Sequence, residues 1–356
     1  MSEPYSNNIL FTPIKLGDLA LKNRIIMAPL TRCRAVDNRV PNDLMVEYYQ
    51  QRASAGLIIS EATSISAQGV GYPNTPGIWS EAQIAGWQKV TDAVHSKNSK
   101  ILLQLWHVGR LSDSSFLNGE QPVAPSAIAA DGHPSHIRPI KPYQTPKALT
   151  VDAIESIIED YKQAAVNAKL AGFDGVEIHG ANGYLIDQFL QDNSNKREDQ
   201  YGGCLENRAR FLLEVTKAVI SVWKPSQVGM HLAPRCDAQS MGDSDPITTF
   251  TYIAKALGQL NLAFICARAV LGTDNLAQQL KTAFGGNYII NQGLTAQTAA
   301  DAIMNGSADA AAWGQLFIAN PDLVERFQTK ANFNQPDPKT FYSEGATGYT
   351  DYPFLR

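Results

Sequence analysis

The sequence of 356 residues is 44% hydrophobic and 18% charged, a composition typical of a globular protein and not of a disordered chain. Its formal net charge of −4 and its lack of basic runs argue against nucleic acid or an anionic membrane as a partner. No apolar stretch is long enough to span a bilayer and no signal-peptide pattern opens the chain, so we expect a cytoplasmic protein.

Short apolar runs alternate with amphipathic helical patterns along most of the chain. Each run is nearly continuously apolar, as expected of a strand that is buried on both faces. This alternation is typical of βα units around a parallel sheet, and eight such units predict a (β/α)8 TIM barrel. The predicted strands comprise residues 24–29, 57–62, 100–106, 175–179, 228–233, 263–267, 288–291 and 309–314. The predicted helices comprise residues 43–55, 81–96, 152–171, 205–222, 247–260, 275–283, 295–305 and 321–327.

Three segments lie outside this alternation. Residues 9–21 predict a hairpin that turns at Gly17-Asp18 and caps the bottom of the barrel. Residues 108–146, after the third strand, are rich in Pro, Ser, Gly and His, so we expect a lid over the site. The aromatic tail, residues 331–356, is expected to pack on the barrel. We therefore predict a single domain over residues 1–356, with the barrel at about 23–328.

Two other architectures lack support in the sequence. An open doubly wound sheet is the main competing fold, but no G-x-G-x-x-G follows an early strand and no second domain boundary is visible. A disulfide framework is also disfavoured, because the cysteines are widely separated and form no C-x-x-C pair. We interpret all four cysteines as structural, namely Cys33, Cys204, Cys236 and Cys266.

Polar residues at the predicted strand ends indicate the position and kind of the site. In a barrel, residues that follow the carboxyl ends of the strands converge on one mouth. Here amides, hydroxyls and imidazoles dominate; there is no pair of carboxylates for glycoside hydrolysis and no H-E-x-x-H pattern for a metal. Gly293 and Gly314, after the seventh and eighth strands, either allow backbone amides to approach a phosphate or merely turn the chain.

Several segments form recognisable motifs: NRIIMAPLTR at 23–32, QLWHVGR at 104–110, HGANGYLIDQFL at 179–190, YGG and ENR within 201–208, and FIANPDL at 317–323. These motifs resemble those of the old yellow enzyme family, and the likeness extends over essentially the whole chain. The resemblance implies FMN bound non-covalently in the barrel mouth, reduced by NAD(P)H and then oxidised by an alkene conjugated to a carbonyl or nitro group. Enones, maleimides and nitroalkenes are the implied substrates, with nitrate esters as a further candidate, and the protein is expected to be a monomer or a homo-oligomer.

The same resemblance assigns roles around the segment HGANGY. His179 and Asn182 would bind the substrate oxygen, and their spacing of three residues would let both face one oxygen at the start of a helical turn. Tyr184 would donate a proton to the α-carbon. The structural alternatives are that His179 caps the following helix and that Tyr184 is simply a half-buried aromatic residue. Tyr72 and Tyr349 are the expected substrate contacts.

The resemblance also assigns the cofactor contacts. Thr31 and Gln104 match positions that hydrogen-bond the flavin ring, and Thr31 places the chain in the branch with threonine at that position. For Trp106 two positions are equally expected, either at the barrel mouth or in the barrel core. The expected cofactor-binding residues are Pro29, Leu30, Thr31, Ala62, Gln104, His231, Gly293, Leu294, Gly314 and Gln315.

Two of these positions depart from the family pattern. His231 stands on the fifth strand where the family usually has arginine, and Gln315 follows the eighth strand where arginine is common. Because arginine makes strong charge-assisted bonds to phosphate, we expect FMN to bind more weakly than usual and His231→Arg to tighten it. Arg235 is the nearest replacement cation in the sequence. The alternative function is a flavin-poor barrel that acts as a binding protein.

Overall fold

The structure is a computed structural model that describes residues 9–235, 238–269 and 276–355. It begins with an antiparallel hairpin of β1 (Ile14–Leu16) and β2 (Leu19–Leu21), which confirms the predicted turn. Gly17 has a φ of +57°, and a Cβ there would lie 2.2 Å from the carbonyl oxygen of Ser226, so the turn requires glycine. The Asp18 amide donates to the same carbonyl at 2.8 Å, which holds the hairpin against the amino-terminal end of the barrel.

Within the described residues, eight parallel strands form a closed barrel, which confirms the predicted fold class. The ring closes because the first strand pairs with the last and each of the others pairs with its two neighbours along the chain. The eight barrel strands are β3 (Ile25–Met27), β4 (Leu57–Ile59), β6 (Lys100–Trp106), β9 (Gly175–Gly180), β10 (Val228–Leu232), β11 (Phe264–Arg268), β12 (Asn287–Asn291) and β13 (Ala310–Trp313). Three short strands are accessory: β5 (Thr63–Ser64) pairs with β6, and β7 (Val123–Ala124) pairs with β8 (Lys147–Ala148).

The predicted helices are present between the strands. Thr150 and Asp245 begin α3 and α6 by accepting hydrogen bonds from backbone amides three residues later, which satisfies otherwise unpaired N–H groups. Two short helices, α4 and α9, were not predicted, since five or six residues are too few for a periodic pattern. The helices are α1 (Asp43–Gln51), α2 (Glu81–His95), α3 (Val151–Leu170), α4 (Leu185–Leu190), α5 (Leu205–Ile220), α6 (Pro246–Gln259), α7 (Leu276–Phe284), α8 (Ala296–Met304), α9 (Gln315–Ala319) and α10 (Leu323–Thr329).

Two apolar layers stabilise the barrel. The inner layer fills the lower interior with side chains such as Leu57, Phe264 and Ile289, while the hairpin closes it from below with Leu16 and Leu19. The outer layer packs the helices on the strands through residues that include Trp87 and Phe211. Burying each such side chain contributes on the order of 1.5–3 kcal/mol. This core leaves the upper interior to polar residues.

The tail follows the barrel surface and contacts it through buried arginines. Arg32 donates to the carbonyl oxygens of Phe341 and Gly348 at 3.0 and 2.7 Å, and Arg326 donates to that of Pro353 at 2.9 Å. The prediction of one domain over residues 1–356 stays a prediction, because the terminal residues fall outside the described ranges.

The described cysteines are free thiols. Cys33 and Cys266 are buried and Cys204 is exposed, whereas Cys236 lies outside the described residues. No helix in the described part of the chain is both long and apolar enough to cross a membrane.

Candidate active site

The upper interior of the barrel is polar and buried. Gln104 on β6, Glu177 and His179 on β9, and His231 on β10 each expose 5% or less of their surface. His179 and His231 are neighbours in the register of β9 and β10, and their rings stack with centroids 5.5 Å apart. Side chains at paired positions of parallel strands point to the same face. The structure therefore brings Gln104, His179 and His231 together at the mouth.

Glu177 is a buried carboxylate that the sequence analysis missed. Its Oε2 atom accepts a hydrogen bond from Gln104 Nε2 at 2.7 Å and lies 3.5 Å from His231 Nδ1. His231 Nε2 and Glu177 Oε1 are buried without a hydrogen-bond partner among the described residues. Leaving such atoms unpaired is costly, so His231 Nε2 is a candidate donor to a bound ligand. The missed signal was a charged residue in an apolar strand, two positions before His179 and thus on the same face.

The same cluster is poorly suited to a metal ion. Ligand atoms of Glu177, His231 and Cys266 lie within 4.8 Å of one another. Burial raises the pKa of the Cys266 thiol well above its ordinary value, which disfavours the thiolate that a metal requires. Glu177 is already hydrogen-bonded by Gln104. The arrangement therefore fits a hydrogen-bonding site better than metal coordination.

A tight turn follows β9 and carries Asn182 and Tyr184. Asn182 and Gly183 have φ angles of +58° and +77°, and α4 begins only at Leu185. The predicted helical turn at Asn182 is therefore wrong, because left-handed backbone cannot continue a helix. The turn is held by Asp187, which accepts from the Gly183 amide at 2.8 Å, and by Gln188, which donates to the Gly183 carbonyl at 2.7 Å.

The contacts of His179 define its protonation. Its Nδ1 atom accepts a hydrogen bond from the Ala181 amide at 3.3 Å, so a neutral ring carries its proton on Nε2. Burial, with smaller contributions from His231 and Arg268, lowers the pKa of His179 well below its ordinary value. The N-cap residue of α4 is Tyr184, so the alternative that His179 caps this helix is wrong. His179 is a neutral Nε2–H donor.

Tyr184 is held as a protonated phenol. Its hydroxyl lies 3.1 Å from that of Tyr72, and its ring packs edge-on against Trp106 and His179 with centroids 5.0 Å away. Burial, followed by the neighbouring Tyr72, raises the pKa of Tyr184 well above its ordinary value. Tyr72 is itself buried, and it clusters with Trp106 and with Tyr143 of the predicted lid. The aromatic residues at the mouth thus surround a phenol that stays protonated at neutral pH.

A cavity of about 560 Å³ opens beside these residues, a size that suits a small-molecule ligand. A larger cleft of about 740 Å³ lies on the flank, beside residues 117–121 and 147–150, and none of the predicted site residues line it. The cavity walls at the mouth include most of the predicted cofactor contacts together with Asn182. The lining residues predicted from the sequence are Pro29, Leu30, Asn182, His231, Gly293, Leu294, Gly314 and Gln315.

Arg268 and Tyr342 also line this cavity and were missed. Arg268 ends β11, and its guanidinium donates to Asn182 Oδ1 and to Gln292 Oε1, both at 2.9 Å. The predicted sixth strand ended at residue 267, so Arg268, the last residue of β11, was not considered as a site residue. Arg235, the replacement cation suggested by the sequence, is exposed and does not line the cavity.

Seven predicted site residues do not line this cavity, namely Thr31, Ala62, Tyr72, Gln104, His179, Tyr184 and Tyr349. Thr31 is half-buried, and Ala62 is buried in the cluster of Tyr72 and Trp106. Tyr349 is fully buried in the tail, stacks on Tyr48 with ring centroids 4.1 Å apart and lies under two arginines. The structure does not support the predicted substrate contact at Tyr349, because a ring enclosed in this way is inaccessible to a ligand.

Comparison with known proteins agrees with this geometry. The family model described as NADH:flavin oxidoreductase / NADH oxidase family matches residues 9–334. An old yellow enzyme homologue from Zymomonas mobilis has a solved structure that superposes with a TM-score of 0.94 at 47% identity, covering 97% of this chain and 99% of its own. The chain belongs to the old yellow enzyme family. This confirms the resemblance, whereas its assignment to the branch with threonine at position 31 stays a prediction.

Other members of the family are similarly close. The structure of morphinone reductase in complex with tetrahydroNAD matches at 48% identity and a TM-score of 0.94, over 98% of each chain. The curated 12-oxophytodienoate reductase 1 of Oryza sativa subsp. japonica is 43% identical over 97% of this chain and 93% of its own length. A probable flavin mononucleotide-dependent alkene reductase of Leishmania infantum is 42% identical over 98% of both. This chain is accordingly an FMN-dependent oxidoreductase with a nicotinamide hydride donor.

The residues at the mouth fit FMN. Gly314 is the N-cap residue of α9, where a Cβ would lie 2.9 Å from Leu30, and Gly293 has a φ of +70°, so both positions of the wall favour glycine. Arg268 adds a permanent positive charge to the same wall. His231 Nε2 is a buried polar atom that has no partner among the residues described. This fit favours the enzyme over the flavin-poor binding protein.

Proposed function

We propose that the enzyme reduces carbon–carbon double bonds conjugated to a carbonyl or nitro group, such as those of enones, maleimides and nitroalkenes. The observation that carries the proposal is the contact between a neutral His179 and a protonated Tyr184, whose ring centroids are 5.0 Å apart at the barrel mouth. Such a pair offers a hydrogen-bond donor and a proton donor to one small substrate. The name of the alkene reductase relative supports the same class of substrate.

His179 and Asn182 would bind the acceptor oxygen of the substrate. His179 donates from Nε2 because its Nδ1 is occupied by the Ala181 amide. Asn182 donates from its Nδ2 atom because its Oδ1 accepts from Arg268. Two donors stabilise the negative charge that develops on the oxygen during reduction, and removing one such donor costs about 10²–10³ in rate.

The cofactor would occupy the cavity that Asn182 also lines. The chemistry that FMN supplies when bound is transfer of a hydride, received from NAD(P)H, to the β-carbon of the alkene. Gly293, Leu294, Gly314 and Gln315 would hold the phosphate end, with Arg268 as the nearby cation. The proposed contacts at the ring end are Pro29, Leu30 and His231, which line the cavity, together with Thr31, Ala62 and Gln104, which do not.

Tyr184 would complete the reaction by giving its phenolic proton to the α-carbon. Hydride at the β-carbon and a proton at the α-carbon together saturate the double bond. The adjacent Tyr72 hydroxyl, 3.1 Å away, can donate to the oxygen of Tyr184 as its proton leaves. Tyr72 would also border the substrate, as the sequence predicts.

The test separates the two half-reactions in wild type and Tyr184→Phe. Wild-type protein with bound FMN should be reduced by NAD(P)H and reoxidised by 2-cyclohexenone or N-ethylmaleimide in a stopped-flow absorbance experiment. In Tyr184→Phe we expect reduction within about twofold of wild type, and NAD(P)H-dependent formation of the saturated product slowed about 10²–10⁴-fold, because only the second step needs the proton donor.

Tyr252→Phe, on α6 and outside the mouth, is the matched control and should behave as wild type. The proposal fails if FMN-loaded wild type is reduced by NAD(P)H yet reduces none of these alkenes. The role of Tyr184 fails if its phenylalanine variant forms product at the wild-type rate.

A further inference from the structure

Arg268 occupies a position between the proposed cofactor wall and the substrate donors. It is the last residue of β11, in register with Asn291 of β12, and it lines the 560 Å³ cavity. Its bond to Asn182 joins residues 86 positions apart in sequence. The resemblance to the family assigns no role to this residue.

Among the described residues, the side chains of Gln292 and Asn182 anchor the guanidinium. Nε donates to Gln292 Oε1 and Nη1 donates to Asn182 Oδ1, both at 2.9 Å. Because a guanidinium is planar and rigid, two bonds from different nitrogens fix its orientation. Gln292 lies in the turn after β12, with a φ of +96°. The β11 and β12 ends therefore present one fixed N–H to the side chain of Asn182.

This contact determines which face of the Asn182 amide is available to substrate. An asparagine amide has an oxygen and an NH2 group of similar shape, so it can bind in two orientations that differ by a flip. With the oxygen turned to substrate, the amide would repel an acceptor oxygen instead of donating to it. A charged donor on Oδ1 selects the orientation in which Nδ2 remains free.

We propose that Arg268 is a positioning residue that holds the Asn182 amide with Nδ2 toward the substrate oxygen. The inference rests on the proposed function of Asn182. The same positive charge also helps to keep His179 neutral, since Arg268 is one of the groups that lower the pKa of His179. Arg268 thus acts on both donors without touching the substrate.

The test is a double-mutant cycle on FMN-loaded protein, read by the binding of 4-chlorophenol through its long-wavelength absorbance band. The phenolate oxygen probes the same donors as a substrate oxygen. We expect Arg268→Met to weaken phenol binding about tenfold. In the Asn182→Ala background the same substitution should change the dissociation constant less than about twofold, because the amide through which it acts is gone.

Arg268→Lys tests the geometry while retaining the charge. With Asn182 present, Arg268→Lys should lower phenol affinity several-fold. In the Asn182→Ala background it should leave phenol affinity unchanged. Arg235→Met, an exposed arginine outside the cavity, is the matched control and should bind phenol as wild type does. The FMN dissociation constant of each variant is measured by following flavin fluorescence as apoprotein is added. Phenol binding is then compared at FMN concentrations that saturate every variant.

Each outcome is decisive. An equal loss on Arg268→Met in both backgrounds would show that the charge acts directly on the cavity, which overturns the inference. The same follows if Arg268→Met and Arg268→Lys both bind phenol as tightly as wild type while Asn182→Ala binds it weakly. If Asn182→Ala itself keeps wild-type phenol affinity, the proposed oxygen site fails and the inference fails with it.

Discussion

The chemical state of each site residue depends on neighbours that the motif does not contain. His179 belongs to the segment HGANGY. The burial of His179 and the hydrogen bond from the Ala181 amide to its Nδ1 atom make it a neutral Nε2–H donor. Tyr184 belongs to the same segment, but Tyr72 comes from the loop after β5 and meets it only in the folded barrel. The motif therefore gives the candidate site residues, whereas their protonation follows from contacts.

His231 is the residue at which the departure from the family can be tested most directly. Its neighbour Glu177 has a buried Oε1 atom without a partner among the described residues. An arginine at position 231 could pair with this carboxylate and present further N–H groups to the cofactor. We expect His231→Arg to tighten FMN binding about tenfold, since a bond to a charged group contributes about 1.5–3 kcal/mol.

The measurement is the FMN dissociation constant from fluorescence quenching on titration of the apoprotein. His95→Arg, on the outer helix α2, is the control for an added positive charge and should leave the affinity unchanged. Equal affinity in wild type and His231→Arg would contradict the prediction. Arg268 on the cavity wall would then be the simplest reason, because it already supplies a fixed cation.

At the scale of elements, the eight predicted strands and eight predicted helices are present, whereas the two short helices α4 and α9 were not predicted. Strand β6 and the long helices follow from hydrophobic patterns that repeat over many residues. The short helices α4 and α9 shape the mouth, yet their length gives no periodic signal. Ending the sixth strand at residue 267 also hid Arg268. Errors of one residue at an element boundary thus removed a residue of the site.

The buried ring of Tyr349 in the tail allows a test of whether this residue stabilises the fold or contacts substrate. Its ring is fully buried against Tyr48, and its hydroxyl has no hydrogen-bond partner among the described residues. We expect Tyr349→Ala to lower the free energy of unfolding by about 3–5 kcal/mol, as for other large aromatic deletions. Tyr349→Phe should change it by less than about 1 kcal/mol, because it keeps the packed ring and removes only an unpaired hydroxyl.

Urea unfolding measures both values, and 4-chlorophenol binding to the folded, FMN-loaded variants measures the site. Tyr252→Phe, which removes the hydroxyl of a partly buried tyrosine on α6, is the matched control. A clear loss of phenol affinity in Tyr349→Phe at unchanged stability would restore Tyr349 as a substrate contact.

At the scale of the whole molecule, two buried carboxyl groups link stability to pH. Glu61 accepts from the Arg32 amide and Asp187 from the Gly183 amide, so each supports a segment of the site. Burial, the largest cause in both cases, raises the pKa of each to about 7. Because these pKa values are raised on folding, the native state holds protons that the unfolded chain releases. The resulting stability is present at low pH and is lost as pH rises toward about 7.

Asp187→Asn should remove one of these contributions. Between about pH 5 and pH 6.5 we expect the free energy of unfolding to fall with pH less steeply than in wild type, by about 1.4 kcal/mol per pH unit. Asparagine can still accept from the Gly183 amide, so the turn should remain. Urea unfolding across this range is the measurement, with the exposed Asp92→Asn as a control that leaves the slope unchanged. If Asp187→Asn leaves the pH dependence of the free energy of unfolding unchanged, Asp187 is not the group that titrates in this range.

The sequence alone predicts the order of strands and helices, the hairpin, and the HGANGY segment as a candidate part of the site. It does so because periodicity, turn chemistry and motifs are local properties of a chain. The protonation of His179, the burial of Tyr349 and the link from Arg268 to Asn182 could not be predicted in this way. Each depends on atoms far apart in sequence, such as the 86 residues between Arg268 and Asn182. Barrel closure brings the ends of all eight strands to one mouth, and only that closure decides which side chains meet there.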